Sequence, residues 1–340
     1  MSQRNTIHYF QWVRALGAVA IVLLHAFVTV HRAVDAAALG AARLAVEETI
    51  SIVLTRWAVP AFFMVSGALM LDPDREMGWR KTLGHVWRLV FVLLTFGFVF
   101  CLAESAVEDG ALKTGAITAH TVVSAVHNLA RQHSWDHMWF VYELVGYYLM
   151  TPLIRPWVAQ ASREEYGRVV LGTCVLLFGT KTISAFLPYT VYYGVSIPYC
   201  FAYYLMGLYV HRYLELDRRW VCFGLASLVL TIVLGVVLGF AWATQPIRGI
   251  VAPYAVMVML LFKRYANIPL EGHPLIAVLA DYSFGIYLVH PAFQHLMVMA
   301  FDPLAYPAVL VDVALTLVPL PLSIASIWLL RHVPGFKGKV

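Results

Sequence analysis

The sequence predicts an all-α, polytopic membrane protein that forms a single domain over residues 1–340. Of the 340 residues, 61% are hydrophobic and only 13% are charged, and the mean hydropathy is +0.74. A water-soluble domain does not need so much apolar surface. Apolar runs of about 20 residues, the length that crosses a bilayer as a helix, recur along the whole chain. These observations predict a bundle of transmembrane helices.

Apolar runs of spanning length occur at about ten places. They cover residues 9–30, 50–71, 84–103, 138–157, 168–187, 193–211, 220–242, 247–263, 274–300 and 307–330. Pro198 interrupts the sixth run and Pro291 the ninth, but neighbouring helices can satisfy the carbonyl that a proline frees, so both runs are kept. No small-residue cleavage site follows the first run, which is therefore expected to remain as the first span.

The distribution of lysine and arginine predicts the orientation. With the N-terminus inside, the inner loops and helix ends carry roughly three times as many of these residues as the outer ones. Both termini are therefore expected in the cytoplasm, with the chain embedded among the lipids of the inner (cytoplasmic) membrane. The net charge of +5 does not indicate nucleic-acid binding, because the basic residues are spread over short loops and form no patch.

The longest connection, residues 104–136, lies on the predicted outer side. Its piece 116–129 is apolar and compatible with a helix, but it is too short to span a bilayer. An interfacial helix or a lid is therefore expected in this loop. No repeat or appended soluble domain is visible, so the function is expected to reside in the membrane part itself.

The first span carries two ionisable side chains, Arg14 and His25. They are eleven residues apart, and at about 100° per residue this brings them within about 20° of one face of a helix. At about 1.5 Å per residue they stand about 16 Å apart along its axis, roughly half the hydrocarbon core. One helix face thus carries a fixed cation and, further out, a titratable base.

Ionisable residues within spans are costly, which makes each one a candidate for function. Some fall in the outer half of the bilayer at similar depth: His25, Arg56, Glu143, Lys181 and His290. Others lie towards the inner side: Arg14, His85 and Arg88. This distribution predicts two polar compartments, one above the other.

His25 is the candidate base, because a neutral imidazole is available near neutral pH. An arginine keeps its charge in the bilayer and can bind a phosphate group or a developing oxyanion. Glu143 is expected either to orient His25 or to neutralise Arg56. A structural ion pair between Glu143 and Arg56 is an equally open interpretation.

Structural roles also stay open for the other candidates. A histidine in a span can be a hydrogen-bonded packing residue, and Lys181 can extend its ammonium group outward to the membrane interface. His133 and His137 stand four residues apart, but no carboxylate or cysteine completes a zinc site around them. No metal is therefore expected.

Five motifs, in order along the chain, resemble the membrane-bound acyltransferase-3 family. Arg14, ten intervening residues and His25 match the R-x10-H signature of that family. Residues 56–67, RWAVPAFFMVSG, are similar to its R-x-x-V-P-x-F-F-x-x-S-G segment. Three later motifs of the family also have similar sequences here, at residues 137–140 (HMWF), 203–207 (YYLMG) and 283–291 (SFGIYLVHP). Together the motifs cover the chain from end to end.

The resemblance implies an integral-membrane O-acyltransferase. Such an enzyme takes an acyl group, commonly acetyl, from cytoplasmic acyl-coenzyme A and places it on a hydroxyl of a carbohydrate or glycolipid at the outer side. Acyl-coenzyme A is then the donor co-substrate. His25 would deprotonate the acceptor hydroxyl or carry the acyl group itself, with Arg14, Glu143 and Arg56 as further catalytic residues.

One departure from the family concerns the donor. The family often has an R-x-x-R pair at the start of the third span, where this sequence has His85 and Arg88. Arg80 and Lys81 are expected to supply the missing charge, so these four residues form the predicted binding site for the donor phosphates. The extracellular esterase-like domain of some members has no counterpart, so a second transfer step would need a partner protein of glycan synthesis.

The predicted contacts to the acceptor are His137, Trp139, His290 and Lys181. The main alternative function is a transporter or flippase for a lipid-linked saccharide, in which the charges within the spans form a relay. No inverted repeat supports that alternative. A third is a non-catalytic scaffold for a glycan-synthesis complex, in which the first-span charges would be replaceable.

Overall fold

The computed structural model describes residues 7–34, 36–110, 115–133, 135, 137–187 and 198–340, which form helices and loops without a β-strand among them. We number the helices α1 His8–Ala33, α2 Ala36–Leu39, α3 Ala41–Leu54, α4 Ala58–Leu71, α5 Trp79–Val92, α6 Phe98–Glu108, α7 Ala119–Ala130, α8 Trp139–Val158, α9 Arg163–Cys174, α10 Thr180–Ser184, α11 Phe201–Tyr213, α12 Arg218–Leu238, α13 Phe240–Ala243, α14 Ala252–Tyr265, α15 Pro274–Ala300, α16 Ala308–Leu317 and α17 Pro319–His332. Short π-helical turns join α5 to α6 and α9 to α10.

The helices confirm the prediction of an all-α, multi-pass membrane protein. Within the described ranges, the stretches long and apolar enough to cross a membrane are His8–Ala33, Ala41–Leu71, Trp79–Glu108, Arg218–Leu238, Pro274–Ala300 and Ala308–His332. Every one of the predicted spans contains at least part of a helix. The number of ten crossings and the side of each terminus stay predictions. Residues 193–197 of the predicted sixth span lie outside the described residues.

The second helical stretch begins earlier than the sequence predicts. Arg43, Glu47 and Glu48 interrupt the apolar run, and for that reason the predicted span begins only at residue 50. In the structure α3 already begins at Ala41, because Glu47 is paired and can be buried. One of its oxygens lies 2.6 Å from Arg43 Nε, and the other lies 2.7 Å from His31 Nε2 at the end of α1. Pairing offsets the cost of burying the carboxylate.

The chain divides into two compact units, and each is described by itself. Unit 1 contains residues 1–72 and 161–330, and unit 2 contains residues 73–160 and 331–340.

In unit 1, α1 and α15 lie side by side and run parallel. At the start of the pair, Trp12 Nε1 donates to the carbonyl of Ile268, just before α15, at 3.2 Å. Towards its other end, Gln294 Nε2 on α15 donates to the carbonyl of Val22 at 2.8 Å. The helix α15 continues through Pro291 without a break, as the sequence predicts. Two chain segments about 270 residues apart thus share one long interface.

Other helices of unit 1 run in the opposite direction. The Tyr9 hydroxyl near the start of α1 is hydrogen-bonded to His211 Nδ1 near the end of α11 at 2.8 Å. Arg212, also near the end of α11, pairs with Asp72, just after the end of α4. The helix α16 packs against the far half of α1, and Leu320, which follows α16, packs nearer the start of α1 beside Ala18 and Val22. The reversals of α4, α11 and α16 relative to α1 agree with a chain that crosses a membrane repeatedly.

Reciprocal glycines let α4 and α11 cross in backbone contact. A Cβ atom added to Gly67 on α4 would lie 1.8 Å from the carbonyl oxygen of Tyr204. A Cβ atom added to Gly207 on α11 would lie 1.9 Å from the carbonyl oxygen of Met64. Small residues at helix crossings permit such an approach in membrane proteins, where apolar burial alone does not drive association.

In unit 2, α8 runs antiparallel to α5 and α6. Arg155 near the end of α8 donates to the carbonyl of Arg75, before α5, at 2.5 Å. Trp135, before the start of α8, stacks on Phe100 of α6 with ring centroids 4.5 Å apart. These contacts fix both ends of the helix pair.

The helix α7 lies within the predicted outer loop, where the sequence indicates a helix-compatible piece. Thr118 and Thr121 cap its start reciprocally. Hydrogen bonds from the Thr121 hydroxyl and from His120 lower the pKa of Asp109, and so hold its carboxylate beside this cap. An interfacial or lid role for the loop stays a prediction, and residues 111–114, 134 and 136 lie outside the described part of it.

The α4–α11 crossing leads to a test of stability. Gly67→Ala should lower the free energy of unfolding by about 3 kcal/mol, at the upper end of overpacking effects, because the clashing atom belongs to backbone and cannot rotate away. Thermal unfolding of the purified protein in detergent measures this. The matched control is Gly172→Ala on α9, where an added Cβ meets no atom within 4 Å. Equal stability of the two variants would contradict the crossing.

Candidate functional site

The described structure brings His25 and His290 into direct contact in unit 1. His25 Nδ1 lies 2.7 Å from His290 Nε2, and the two rings are stacked with their centroids 4.9 Å apart. His25 is half-buried, whereas the His290 side chain is fully buried between the helices. Of the two imidazoles, only His25 is therefore accessible to a substrate.

The hydrogen bonds of His290 determine which nitrogen atoms carry protons. His290 Nδ1 lies 2.8 Å from the carbonyl oxygen of Ile286, one turn earlier on α15. A carbonyl only accepts hydrogen bonds, so Nδ1 of His290 is protonated, and in the neutral ring Nε2 is the acceptor. His25 must then donate from Nδ1. Neutral His25 consequently has its basic lone pair on Nε2, which makes Nε2 its reactive atom.

Gln294, one turn after His290 on α15, hydrogen-bonds to two other helices. Its Nε2 donates to the carbonyls of Val22 on α1, at 2.8 Å, and of Leu315 on α16, at 2.9 Å. The side chain is fully buried. Because Val22 lies one turn before His25, the amide helps to set the position of α1 against α15 at the level of the histidine pair.

Arg14 contacts the same partner helix at a lower level. Its Nε donates to the hydroxyl of Ser283 at 3.2 Å, and that hydroxyl donates to the carbonyl of Ala280 at 2.9 Å. Ser283 lies two turns before His290 on α15. The α1–α15 interface therefore has polar contacts at two levels: the arginine–serine contact at the lower level, and the histidine–histidine contact with the Gln294–Val22 hydrogen bond at the upper level. Between them it is apolar, with buried residues such as Ala18 and Ile286.

Arg56 and Glu143 each have a polar contact within their own unit. In unit 1, Arg56 Nη2 lies 3.7 Å from an oxygen of Glu48 on α3. In unit 2, Glu143 on α8 accepts a short hydrogen bond from the hydroxyl of Tyr147, one turn later. The expected roles of Glu143, to orient His25 or to neutralise Arg56, stay predictions.

The predicted acceptor contacts are spread over both units. In unit 2, His137 is buried, and its ring lies edge-on to Phe100 with centroids 5.5 Å apart, while the neighbouring Trp139 is half-buried at the start of α8. In unit 1, Lys181 on α10 places its Nζ 5.1 Å from the ring centroid of Tyr199. Within unit 1, the structure brings His290 into contact with His25.

The predicted donor residues share one helix in unit 2. Arg80, Lys81 and His85 are exposed on α5, and Arg88 is half-buried one turn after His85. Lys81 Nζ lies 3.2 Å from an oxygen of Glu76, whose side chain is 95% exposed. An exposed pair of this kind is weak and leaves the lysine available to another anion.

Sequence reasoning missed Gln294 and Glu48. Gln294 lies four residues after His290, so its place on the same helix face is a signal that the sequence contains. Glu48 gives no such signal, because it falls in a predicted loop. Across the described residues, no group of three or more His, Cys, Asp or Glu side chains is arranged to hold a metal ion.

The family of this chain follows from its match to an acyltransferase domain, which extends over residues 7–330. The chain belongs to the acyltransferase-3 family. The resemblance to this family, which the sequence motifs indicate, is thereby confirmed. No curated protein and no solved structure matches the chain.

Because the chain belongs to an acyltransferase family, the orienting contact between His25 and His290 can be tested through the rate of acyl transfer. His290→Ala should lower the rate of acyl transfer by about 10²-fold, because the His25 ring loses the acceptor that orients it. His290→Gln should recover part of the rate, since its side-chain carbonyl can accept the same hydrogen bond. Steady-state transfer assays on the purified variants measure both.

The matched control for this pair is His295→Ala. His295 lies on the same helix and also hydrogen-bonds a carbonyl one turn earlier, that of Pro291, at 2.8 Å. It should retain most of the wild-type rate. Equal losses in the His290→Ala and His295→Ala variants would refute the orienting role of His290.

Proposed function

We propose that this acyltransferase-3 family protein transfers an acyl group, most simply acetyl, from acyl-coenzyme A to a hydroxyl of a carbohydrate or glycolipid, with His25 as the catalytic base. The observation that supports this most directly is the hydrogen bond from His25 Nδ1 to the buried His290. It assigns the lone pair of neutral His25 to Nε2, the atom that a general base needs.

In the direct route, His25 Nε2 accepts the proton of the acceptor hydroxyl while the hydroxyl oxygen attacks the thioester carbonyl carbon. The carbon–sulfur bond then breaks, and the leaving thiolate takes the proton back from Nε2. His290 accepts from Nδ1 throughout and so stabilises the transient imidazolium. In the covalent route the same Nε2 attacks the thioester carbon first, and the carbon–sulfur bond breaks to release the thiolate. The acceptor hydroxyl then takes the acyl group from Nε2, and its proton passes to the thiolate.

Arg14 has a different role in this proposal. It stands about 16 Å from His25 along α1, which is too far for its guanidinium to stabilise charge that forms at His25. We assign Arg14, held by Ser283, to binding of the donor and not to the chemical step. The donor phosphates bind Arg88, His85, Arg80 and Lys81 on α5.

The remaining predicted residues complete the proposal. Glu143 and Arg56 shape the electrostatic environment of the reaction, and His137, Trp139 and Lys181 contact the acceptor. His290, being fully buried, orients His25 and does not touch the acceptor. The donor is drawn from the cytoplasm and the acceptor from the outer side of the inner membrane, with both termini in the cytoplasm.

The proposal is tested by giving the reconstituted protein acetyl-coenzyme A radiolabelled in the acetyl group, together with a panel of carbohydrate acceptors. The label should move to an acceptor in the wild type and not in His25→Ala, because the variant lacks the base. Thermal unfolding should show that His25→Ala is folded. Near-normal transfer by His25→Ala would overturn the assignment of the base.

Two further outcomes separate the alternatives. Label that stays on the protein when the acceptor is omitted, and is absent from His25→Ala, identifies the covalent route. Movement of an unlabelled saccharide across the vesicle membrane, with no transfer of the acetyl group, would identify a transporter and contradict the proposed enzyme.

A further inference from the structure

We propose that the last residues of the chain complete the phosphate-binding site on α5, with Lys339 acting as a second fixed cation beside Arg88. This inference rests on the proposed acyl-coenzyme A donor. It concerns unit 2 alone, which contains both α5 and residues 331–340.

The tail, residues 333–340, is packed against α5. Arg88 Nε donates to the carbonyl oxygen of Lys339 at 2.8 Å. The ring of Phe336 meets that of Phe91 edge-on, with centroids 5.1 Å apart. Val340 is only 3% exposed, and its terminal carboxylate accepts from Arg331 Nε at 3.0 Å. These contacts give the tail a defined position on the helix.

The ammonium group of Lys339 lies close to two aromatic rings of α5. Its Nζ lies 3.8 Å from the ring centroid of Phe91 and 6.0 Å from that of Trp87. Cation–π attraction stabilises the ammonium charge beside these rings. The carbonyl of Lys339 meanwhile accepts from Arg88, so both cations belong to one contact. A binding site gains affinity when its charged groups are already in position before the ligand arrives.

Cations outnumber carboxylates around this contact. The helix α5 contributes Arg80, Lys81 and Arg88, and residues 331–340 contribute Arg331, Lys337 and Lys339. Glu76, just before α5, pairs with Lys81, and the terminal carboxylate of Val340 accepts from Arg331. Like charges gathered on one helix face repel one another unless an anion joins them. The excess of positive charge on this face therefore favours a phosphate or pyrophosphate ligand.

The contact with the tail also explains how this turn of α5 can bind phosphate although it carries only one arginine. His85, one turn before Arg88, is not a fixed cation, because histidine changes its charge near neutral pH. Lys339 reaches the same turn from the other end of the chain and carries a permanent charge there. An exposed glycine, Gly84, lies on the same face, and a Cβ added to it would meet no atom within 4 Å, so a ligand can approach the backbone closely.

The experiment compares Lys339→Met with wild type in nanodiscs of neutral lipid. Methionine keeps the apolar stem on Phe91 and removes the charge. We expect the KM for acetyl-coenzyme A and the Kd for coenzyme A to rise about tenfold, with kcat unchanged, since a charge-assisted contact to the ground-state donor is lost. Lys339→Arg should stay close to wild type. The control is Arg218→Met, an exposed cation at the start of α12 in unit 1.

A second substrate separates phosphate binding from a structural role. Acetyl-pantetheine has the thioester but no phosphate, so Lys339→Met and wild type should use it equally well. An equal loss on both donors would overturn the proposal and assign Lys339 to folding. A lower KM in Lys339→Met would also overturn it, because the tail would then compete with the donor.

Anionic lipid is the other source of phosphate. If Lys339→Met binds coenzyme A normally but retains less anionic lipid on purification, the face binds a lipid headgroup and the donor assignment is wrong. If wild type binds coenzyme A and Lys339→Met binds it equally well, with no change in lipid, this inference alone fails. If wild type neither binds coenzyme A nor transfers acetyl, the proposed function fails and this inference with it.

Discussion

The hydrogen bond between His25 and His290 is the interaction on which the arrangement of the site depends. An imidazole inside an apolar bundle is stable only when its polar atoms have partners. His290 meets this need with a carbonyl of its own helix and with the ring of His25, so each histidine fixes the orientation of the other. Gln294 adds two hydrogen bonds one turn further along α15, which link α1 and α16 to the same helix.

The sequence was sufficient to predict the helices and the family. Apolar runs of spanning length identify helices because a membrane forces the backbone to satisfy its own hydrogen bonds. The eleven-residue spacing places Arg14 and His25 on one helix face, and both indeed contact α15. Intramembrane polarity likewise singles out His290, but its contact with His25 depends on which helices are neighbours, which the sequence does not contain.

The sequence was least informative where charges lie at the end of an apolar run. Glu47 and Glu48 look like loop residues, yet α3 carries them because His31, Arg43 and Arg56 supply opposite charge from nearby segments. Pairing of this kind depends on which side chains lie close together in space, and a hydropathy profile along the sequence does not show this. The contact of the C-terminal tail with α5 was invisible for the same reason, since 251 residues separate Arg88 from Lys339.

The separation of His25 and His290 along the chain has a consequence for how the protein is made. The first helix of the site is synthesised early, and its partner emerges 265 residues later. Until α15 enters the bilayer, His25 lacks the His290 ring that orients it, and α1 lacks its hydrogen bond from Gln294. The contact that orients His25 can therefore form only after about 265 further residues have been synthesised.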